Sequence, residues 1–199
     1  EREIFVMKTI ILHGSPRKNQ NSDTLVDYFI RGLNKNGHHQ VKHFYTNELN
    51  IKPCQGCLTC ATSVNHSCAI KDDMEEVYSA YKKANTIVFA TPMYWGYMTA
   101  QLKTVFDRME ALAWEGFGNK TFVVIITYRH HCESTVAFFE RIAPFFNINL
   151  FIITCRTYNQ DEQKDIPIMM CQDQLEEAYQ LGINISNKEK EKISSKNGA

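Results

Sequence analysis

Short apolar runs alternate along this chain with stretches whose apolar residues recur every three or four positions, and few folds accommodate that order. Residues 8–13 (KTIILH), 86–91 (TIVFAT), 121–127 (TFVVIIT) and 149–154 (NLFIIT) are rich in β-branched residues and nearly continuous in apolar character, the pattern of strands covered on both faces. Residues 40–46 alternate instead, Val41, His43 and Tyr45 against Lys42 and Phe44, which suits an edge strand. Between these runs, Leu25, Val26, Phe29, Ile30 and Leu33 share a helical face. So do Met74, Val77, Tyr78 and Tyr81, and again Leu102, Val105, Phe106 and Met109. Two more helices are expected over about residues 134–146 and 169–185. Strict alternation of this kind requires a parallel α/β sheet with right-handed crossovers and helices on both faces. Five strands fit the flavodoxin-like order 2-1-3-4-5, whose ligand crevice opens at the carboxyl ends of strands one and three.

The boundaries follow from the same pattern. Residues 1–7 read as an N-terminal extension with Met7 a candidate start, 8–185 as one domain, and 186–199, rich in Ser, Lys, Glu and Asn without periodicity, as a solvated polar tail. Asn36-Gly37 is expected to close the first helix, and Asp73 with Glu76 to form a capping box before Val77. Lys plus Arg equals Asp plus Glu at 22 each, so net charge calls for neither nucleic acid nor an anionic membrane. No apolar run approaches the roughly 20 residues of a membrane-spanning helix, and the first residues lack the pattern of an export leader.

Two loops fall on the predicted crevice. The first, residues 14–24, contains Gly14, which permits a tight turn, Pro16, which stiffens it, and Ser15, Asn21, Ser22 and Thr24, polar groups beside the unpaired N–H groups of a helix start. Arg17 adds a charge-assisted donor. The spacing is neither that of a dinucleotide fingerprint nor that of a triphosphate loop, so a mononucleotide or phosphate monoester fits better than either; a polar capping loop is the plainer alternative. The second, Pro92, Met93, Tyr94, Trp95, Gly96 and Tyr97, is costly to expose unless it packs internally or faces a flat apolar ligand. Opposite a phosphate loop, it reads as the ring side of a flavin site.

Two motifs resemble those of the NAD(P)H-dependent FMN reductases and related flavodoxin-like oxidoreductases: GSPRKN at 14–19 with Asn21-Ser22, and TPMYWG at 91–96 running on to Gln101-Leu102-Lys103 and Phe106-Asp107-Arg108. The likeness covers residues 8 to about 155. It implies that Ser15, Arg17, Asn21, Ser22 and Thr24 hold the FMN phosphate and that Pro92, Met93, Tyr94, Trp95 and Gly96 line the ring. It also implies NAD(P)H as co-substrate, a small electron acceptor (quinone, nitro or azo compound, or flavin) and a homodimer. The flavin carries the chemistry, so no catalytic side chain is assigned. Where such proteins usually have a glycine-rich segment after the fourth strand, this chain has Thr127-Tyr128-Arg129-His130-His131-Cys132-Glu133. Either Thr127 or nearby backbone still meets the pyrimidine edge, or the bulkier loop narrows the pocket. His130 and His131 read as exposed polar residues.

Seven cysteines, an odd number with four inside residues 54–68, argue against a secreted disulfide framework and for a cytoplasmic setting. Cys132, Cys155 and Cys171 read as buried structural thiols. Cys54-x2-Cys57-x2-Cys60-x7-Cys68 has ferredoxin-like initial spacing and resembles the compact motif of iron–sulfur flavoproteins, which implies an Fe4S4 cluster. Zinc suits the same donors, and metal-free packing or redox thiols are the first reading. Three functions therefore compete: an FMN-dependent oxidoreductase, an iron–sulfur electron carrier, and a flavin-binding sensor without turnover.

Overall fold

The alternation of strand and helix builds a three-layer sandwich. The computed structural model describes residues 7–35, 39–114 and 117–197. Its elements are β1 (Met7–His13), α1 (Asn21–Asn34), β2 (His39–Tyr45), α2 (Thr59–Thr62), α3 (Met74–Lys83), β3 (Thr86–Tyr94), β4 (Tyr97–Met98), α4 (Ala100–Arg108) and α5 (Glu110–Ala113). These are followed by β5 (Thr121–Tyr128), α6 (Glu133–Phe145), β6 (Asn149–Arg156), β7 (Tyr158–Asn159), β8 (Lys164–Asp165), a 3-10 turn at Ile168–Met170, and α7 (Gln172–Asn197). The long strands run parallel in the order β2-β1-β3-β5-β6. With the two-residue β4 set aside as an antiparallel partner of β3, this is the expected 2-1-3-4-5.

Both sheet faces are covered, which is why the strands are apolar at consecutive positions. Ile10, Leu12, Ile87, Phe89, Phe122 and Val124 pack with Met74, Val77 and Tyr81 of α3, Leu102 and Val105 of α4 and Phe139 of α6. The alternate residues Ile11, Val88, Ala90, Val123 and Ile125 face α1 and α7 through Leu25, Phe29, Leu33, Leu175 and Ala178. At the edge, β2 buries Phe44 alone among its seven residues. The Asn36-Gly37 closure of α1 lies outside the described residues.

Three boundaries differ from the sequence expectation. Met7 is buried and pairs with His39, so β1 begins inside the expected extension. The last helix continues to Asn197, where a polar tail beyond residue 185 is expected. Its polar residues serve the amino end of the sheet: Ser186 Oγ lies 3.0 Å from His39 Nε2, and the buried Thr86 hydroxyl donates to Glu189 Oε1 over 2.8 Å. The capping box gives way to another arrangement. Asp73 Oδ2 accepts from Asn50 N (2.6 Å), while Asp72 Oδ1 accepts from Met74 N (3.1 Å).

Asp72 has a larger role. Its carboxylate meets the Arg108 guanidinium through two contacts, 2.7 and 3.1 Å, with side chains 2 and 0 % exposed. Arg108 also donates to the carbonyls of Lys52 (2.8 Å) and Ile70 (3.1 Å). One buried cation thus gathers both ends of the 52–72 loop, and the Tyr78 hydroxyl bonds the Arg108 carbonyl at 2.7 Å. Burial by itself would raise the Asp72 pKa; the Arg108 guanidinium and the N–H groups of Lys52 and Met74 outweigh it and hold the carboxyl below its usual range.

On the opposite face, α1 and α7 touch backbone to backbone. A Cβ on Gly32 would fall 2.0 Å from the Tyr179 carbonyl oxygen, and one on Gly182 would fall 2.2 Å from that of Phe29. Gly32→Ala is therefore expected to force the helices apart and to lower unfolding free energy by roughly 2 kcal/mol or more. An unchanged denaturant midpoint would refute the close packing. Because the folded Asp72 pKa is depressed, its contribution is complete above the unfolded carboxyl pKa of about 4 and is lost as pH falls through the folded value. Asp72→Asn should flatten that acid limb of stability and, by stranding a buried guanidinium, cost roughly 3–5 kcal/mol at neutral pH; thermal melts from pH 3 to 7 measure both.

Candidate functional site

The site is built where β1 and β3 end side by side. Gly14 N donates to Ala90 O (2.7 Å), and Thr99 Oγ1 donates back to Gly14 O (2.7 Å). A Cβ on Gly14 would lie 2.9 Å from both Leu102 Cβ and Thr99 Oγ1, so glycine is required for close approach. Thr99 also accepts from Leu102 N (3.4 Å) as the N-cap of α4, and its own N–H donates to Thr91 Oγ1 (3.2 Å). Sequence reading missed Thr99, although a threonine directly before an amphipathic run is a helix-start signal.

Beyond Gly14 the chain folds around Ser15. This buried hydroxyl donates to Arg17 O (3.0 Å) and accepts from Arg17 N (3.1 Å), leaving the Arg17 side chain in solvent. Asn19 adopts φ 56°, a conformation asparagine tolerates better than most. Gln20, at the N-cap of α1, makes no side-chain capping bond, so the first-turn N–H groups remain an anion-binding terminus. Asn21 opens the helix half-buried, and Ser22 is buried with its Oγ 3.1 Å from Thr127 Oγ1 at the end of β5. Thr24 instead donates its hydroxyl to Gln20 O (3.2 Å). The structure therefore joins Ser22 to Thr127, folds the Ser15 hydroxyl onto Arg17 within the loop, leaves Arg17 exposed and Asn21 half-buried, and turns the Thr24 hydroxyl back onto the loop.

The aromatic segment is a hairpin rather than an open loop. β3 runs through Pro92, Met93 and Tyr94, turns at Trp95-Gly96 and returns as β4, with Met93 opposite Met98 and Tyr94 opposite Tyr97. Trp95 and Gly96 have φ 50° and 74°, the two positive values that a tight two-residue hairpin needs. Ser134 at the start of α6 donates its hydroxyl to Gly96 O. Pro92 and Met93 are half-buried, while Tyr94, Trp95 and Gly96 are exposed. After β5, Arg129 pairs with Asp165 of the small β7–β8 hairpin (2.6 Å), and His130 and His131 are exposed as expected.

Cys54 and Cys57 are exposed, Cys60 and Cys68 half-buried, and Cys132, Cys155 and Cys171 buried. Cys57 Sγ lies 3.4 Å from Thr59 Oγ1, and that contact with the Thr59 N–H holds its thiol below the usual range. Burial, the Glu110 carboxylate and the neighbouring Cys68 and Cys54 thiols push Cys60 up. Among the described residues, no three His, Cys, Asp or Glu side chains converge in a metal-holding arrangement.

A family model described as NADPH-dependent FMN reductase matches residues 7–154. An iron–sulfur flavoprotein of Methanosarcina thermophila is 35% identical over 114 residues, covering 57% of this chain and 58% of that protein; the chain thus spans little more than half of this curated relative. Two solved structures share the fold. An azoreductase from Bacillus anthracis superposes with TM-score 0.68 at 15% identity, over 90% of this chain and 100% of that one. An NAD(P)H:quinone oxidoreductase from Methanothermobacter marburgensis gives 0.63 at 18%, over 91% and 96%. With the phosphate-type loop and the aromatic hairpin both inside the matched segment, the chain belongs to the NADPH-dependent FMN reductase family.

Proposed function

We propose that this protein binds FMN at the carboxyl ends of β1, β3 and β5 and oxidises NAD(P)H on behalf of a small acceptor: a quinone, a nitro or azo compound, or free flavin. One observation carries the reading. The contacts Thr99–Gly14 and Ser22–Thr127 set an uncapped helix start beside an exposed aromatic hairpin in a chain of this family. Ser15, Arg17, Asn21, Ser22 and Thr24 are assigned to the phosphate, and Pro92, Met93, Tyr94, Trp95, Gly96 and Thr127 to the ring system. The residues fit such a ligand, because the first-turn N–H groups of α1 carry no side-chain cap at Gln20 and suit an anion. Bound flavin supplies hydride acceptance and release. The chain's own part is to orient the ring with the hairpin, fix the phosphate and exclude water between them.

A homodimer and a reducing, cytoplasmic setting complete this reading. Exposed Tyr94 and Trp95 beside the site support the first, and the odd, clustered cysteines support the second. Sedimentation of the FMN-loaded protein as a monomer would remove the dimer.

A second reading adds an Fe4S4 cluster on Cys54, Cys57, Cys60 and Cys68. It is supported by the clamped loop that holds all four and by the iron–sulfur name of the Methanosarcina relative. The donors are of the right kind, whereas their side chains do not converge as they stand. No step of the reductase reading requires them.

Arg17→Ala is expected to weaken FMN binding about tenfold to a hundredfold, the equivalent of a charge-assisted hydrogen bond of roughly 1.5–3 kcal/mol, while riboflavin binding stays unchanged. Equal FMN affinity in the two proteins sinks the phosphate assignment; bound FMN without oxidation of NADH or NADPH sinks the enzyme. For the cluster, protein purified without oxygen should contain about four iron atoms per chain, lost in Cys57→Ser with FMN retained. Iron-free wild type leaves the four residues as packing or redox thiols.

A further inference from the structure

Beneath the phosphate-type loop lies a chain of titratable side chains that the reductase reading does not use. His13, the last residue of β1, is 2 % exposed, and its Nδ1 lies 2.8 Å from Asp23 Oδ1 on α1. Its Nε2 lies 2.9 Å from Nδ1 of His43 on the edge strand β2, and His43 reaches solvent. Asp23 Oδ2 accepts from Asn19 N (2.7 Å), the loop residue at φ 56°. The Tyr45 ring stacks on His13 at 4.3 Å. Lys18 stands 4.2 Å over that ring and pairs with Glu48 at 2.5 Å. Asp27, one turn beyond Asp23 on α1, completes the charged surroundings; burial and the Asp23 carboxylate push it up, while His43 and His13 oppose them.

The contacts admit two protonation patterns that differ by one proton, a neutral His13 that accepts from His43 and a protonated His13 that donates to it. An ionised Asp23 can only accept, so His13 donates from Nδ1. Neutral His13 then accepts at Nε2 from the His43 Nδ1–H, which leaves His43 Nε2 as the basic nitrogen. Burial and His13 lower the pKa of His43, with Asp27 and Asp23 opposing. Asp23 is the third residue of α1. Its carboxylate therefore lies in the same helical turn to which a phosphate is assigned, and the two negative charges oppose one another there.

We propose that Asp23, His13 and His43 form a proton-accepting chain that couples binding of a phosphate dianion in this loop to uptake of one proton. The inference rests on the FMN reading and deepens it. A solvent proton enters at His43 Nε2, the His43 Nδ1 proton passes to His13 Nε2, and the imidazolium so formed at His13 neutralises Asp23. His43 ends neutral in its other tautomer, and one proton has been gained. The three are positioning residues: they set the charge beneath the loop and touch no reacting atom. Because binding raises the proton affinity of the pair, affinity is greatest below its unliganded pKa and declines as pH rises through the liganded one. The largest decline is tenfold per pH unit for one proton.

Calorimetric titration in buffers of different ionisation enthalpy counts the protons directly. At pH 7.5 a phosphate monoester, with second pKa about 6, is already dianionic, so uptake reports on the protein. Wild-type protein is expected to take up between half and one proton per FMN and none with riboflavin, which lacks the phosphate. His13→Gln can donate to Asp23 and accept from His43 but cannot become a cation there, and it should bind FMN without uptake. FMN bound by wild type with no uptake, or with uptake equal to that for riboflavin, overturns the proton chain and leaves the flavin site standing. FMN that does not bind overturns both. If His13→Gln fails to fold, the wild-type comparison of the two ligands decides.

Discussion

Parallel pairing of β1 with β3, His13 opposite Ala90, is the constraint on which the rest depends. The chain leaves β1 for α1 on one face of the sheet, returns through β2, and crosses the other face by α3 before entering β3. Two loops must then diverge from adjacent strand ends, and such divergence opens a crevice. Gly14 N on Ala90 O prolongs the ladder one residue beyond the strand, and Thr99 then binds the first loop to the second. Ser22–Thr127 brings in β5 by the same means. A site assembled from three strands is thus held by short hydroxyl contacts within a packed core, and it does not depend on the order of its exposed tips.

The cysteine loop is anchored on a different principle. Its two ends meet at Arg108, whose guanidinium is shared between the Asp72 carboxylate and the carbonyls of Lys52 and Ile70. A buried ion pair adds little net stability over an apolar replacement, but it fixes geometry because each partner is costly to leave alone. The consequence is a loop with firm roots and an exposed tip. Cys54 and Cys57 are exposed shortly beyond the Lys52 anchor, and Leu58 is held at φ 60°.

Architecture was legible in the sequence because it follows from period. Runs such as FVVIIT admit few placements other than a doubly covered strand, and five strands in alternation with helices fit the flavodoxin-like order. The phosphate-type loop was legible because Gly14 and the hydroxyl residues precede a helix start. What period could not reveal are polar side chains committed to distant partners. Ser186 and Glu189 look solvated in a Lys- and Glu-rich stretch, yet they meet His39 and Thr86 across the sheet's amino end. Asp72 and Asp73 look like one acidic cap, whereas both carboxylates reach back to the backbone at Asn50 and Lys52 and Asp72 alone pairs with Arg108. His13 sits at the end of an apolar run, and its role appears only when β2 places His43 beside it.

The distribution of strain bears on why these loops are shaped as they are. Asparagine tolerates a left-handed backbone, so Asn119 and Asn147 at φ 55° and 51° need no special account. Leu58 and Trp95 are different, since a bulky residue there costs roughly 1–2 kcal/mol. At the hairpin the cost is compounded, because the turn that strains Trp95 also holds its indole in water. Ser134 fastens the turn through Gly96 O, so the display is imposed by the fold. The exposed indole is stabilised when an apolar surface covers it. The adjoining helix start is best satisfied by an anion, and a ligand with both features at once, an aromatic ring system carrying a phosphate, relieves the two together.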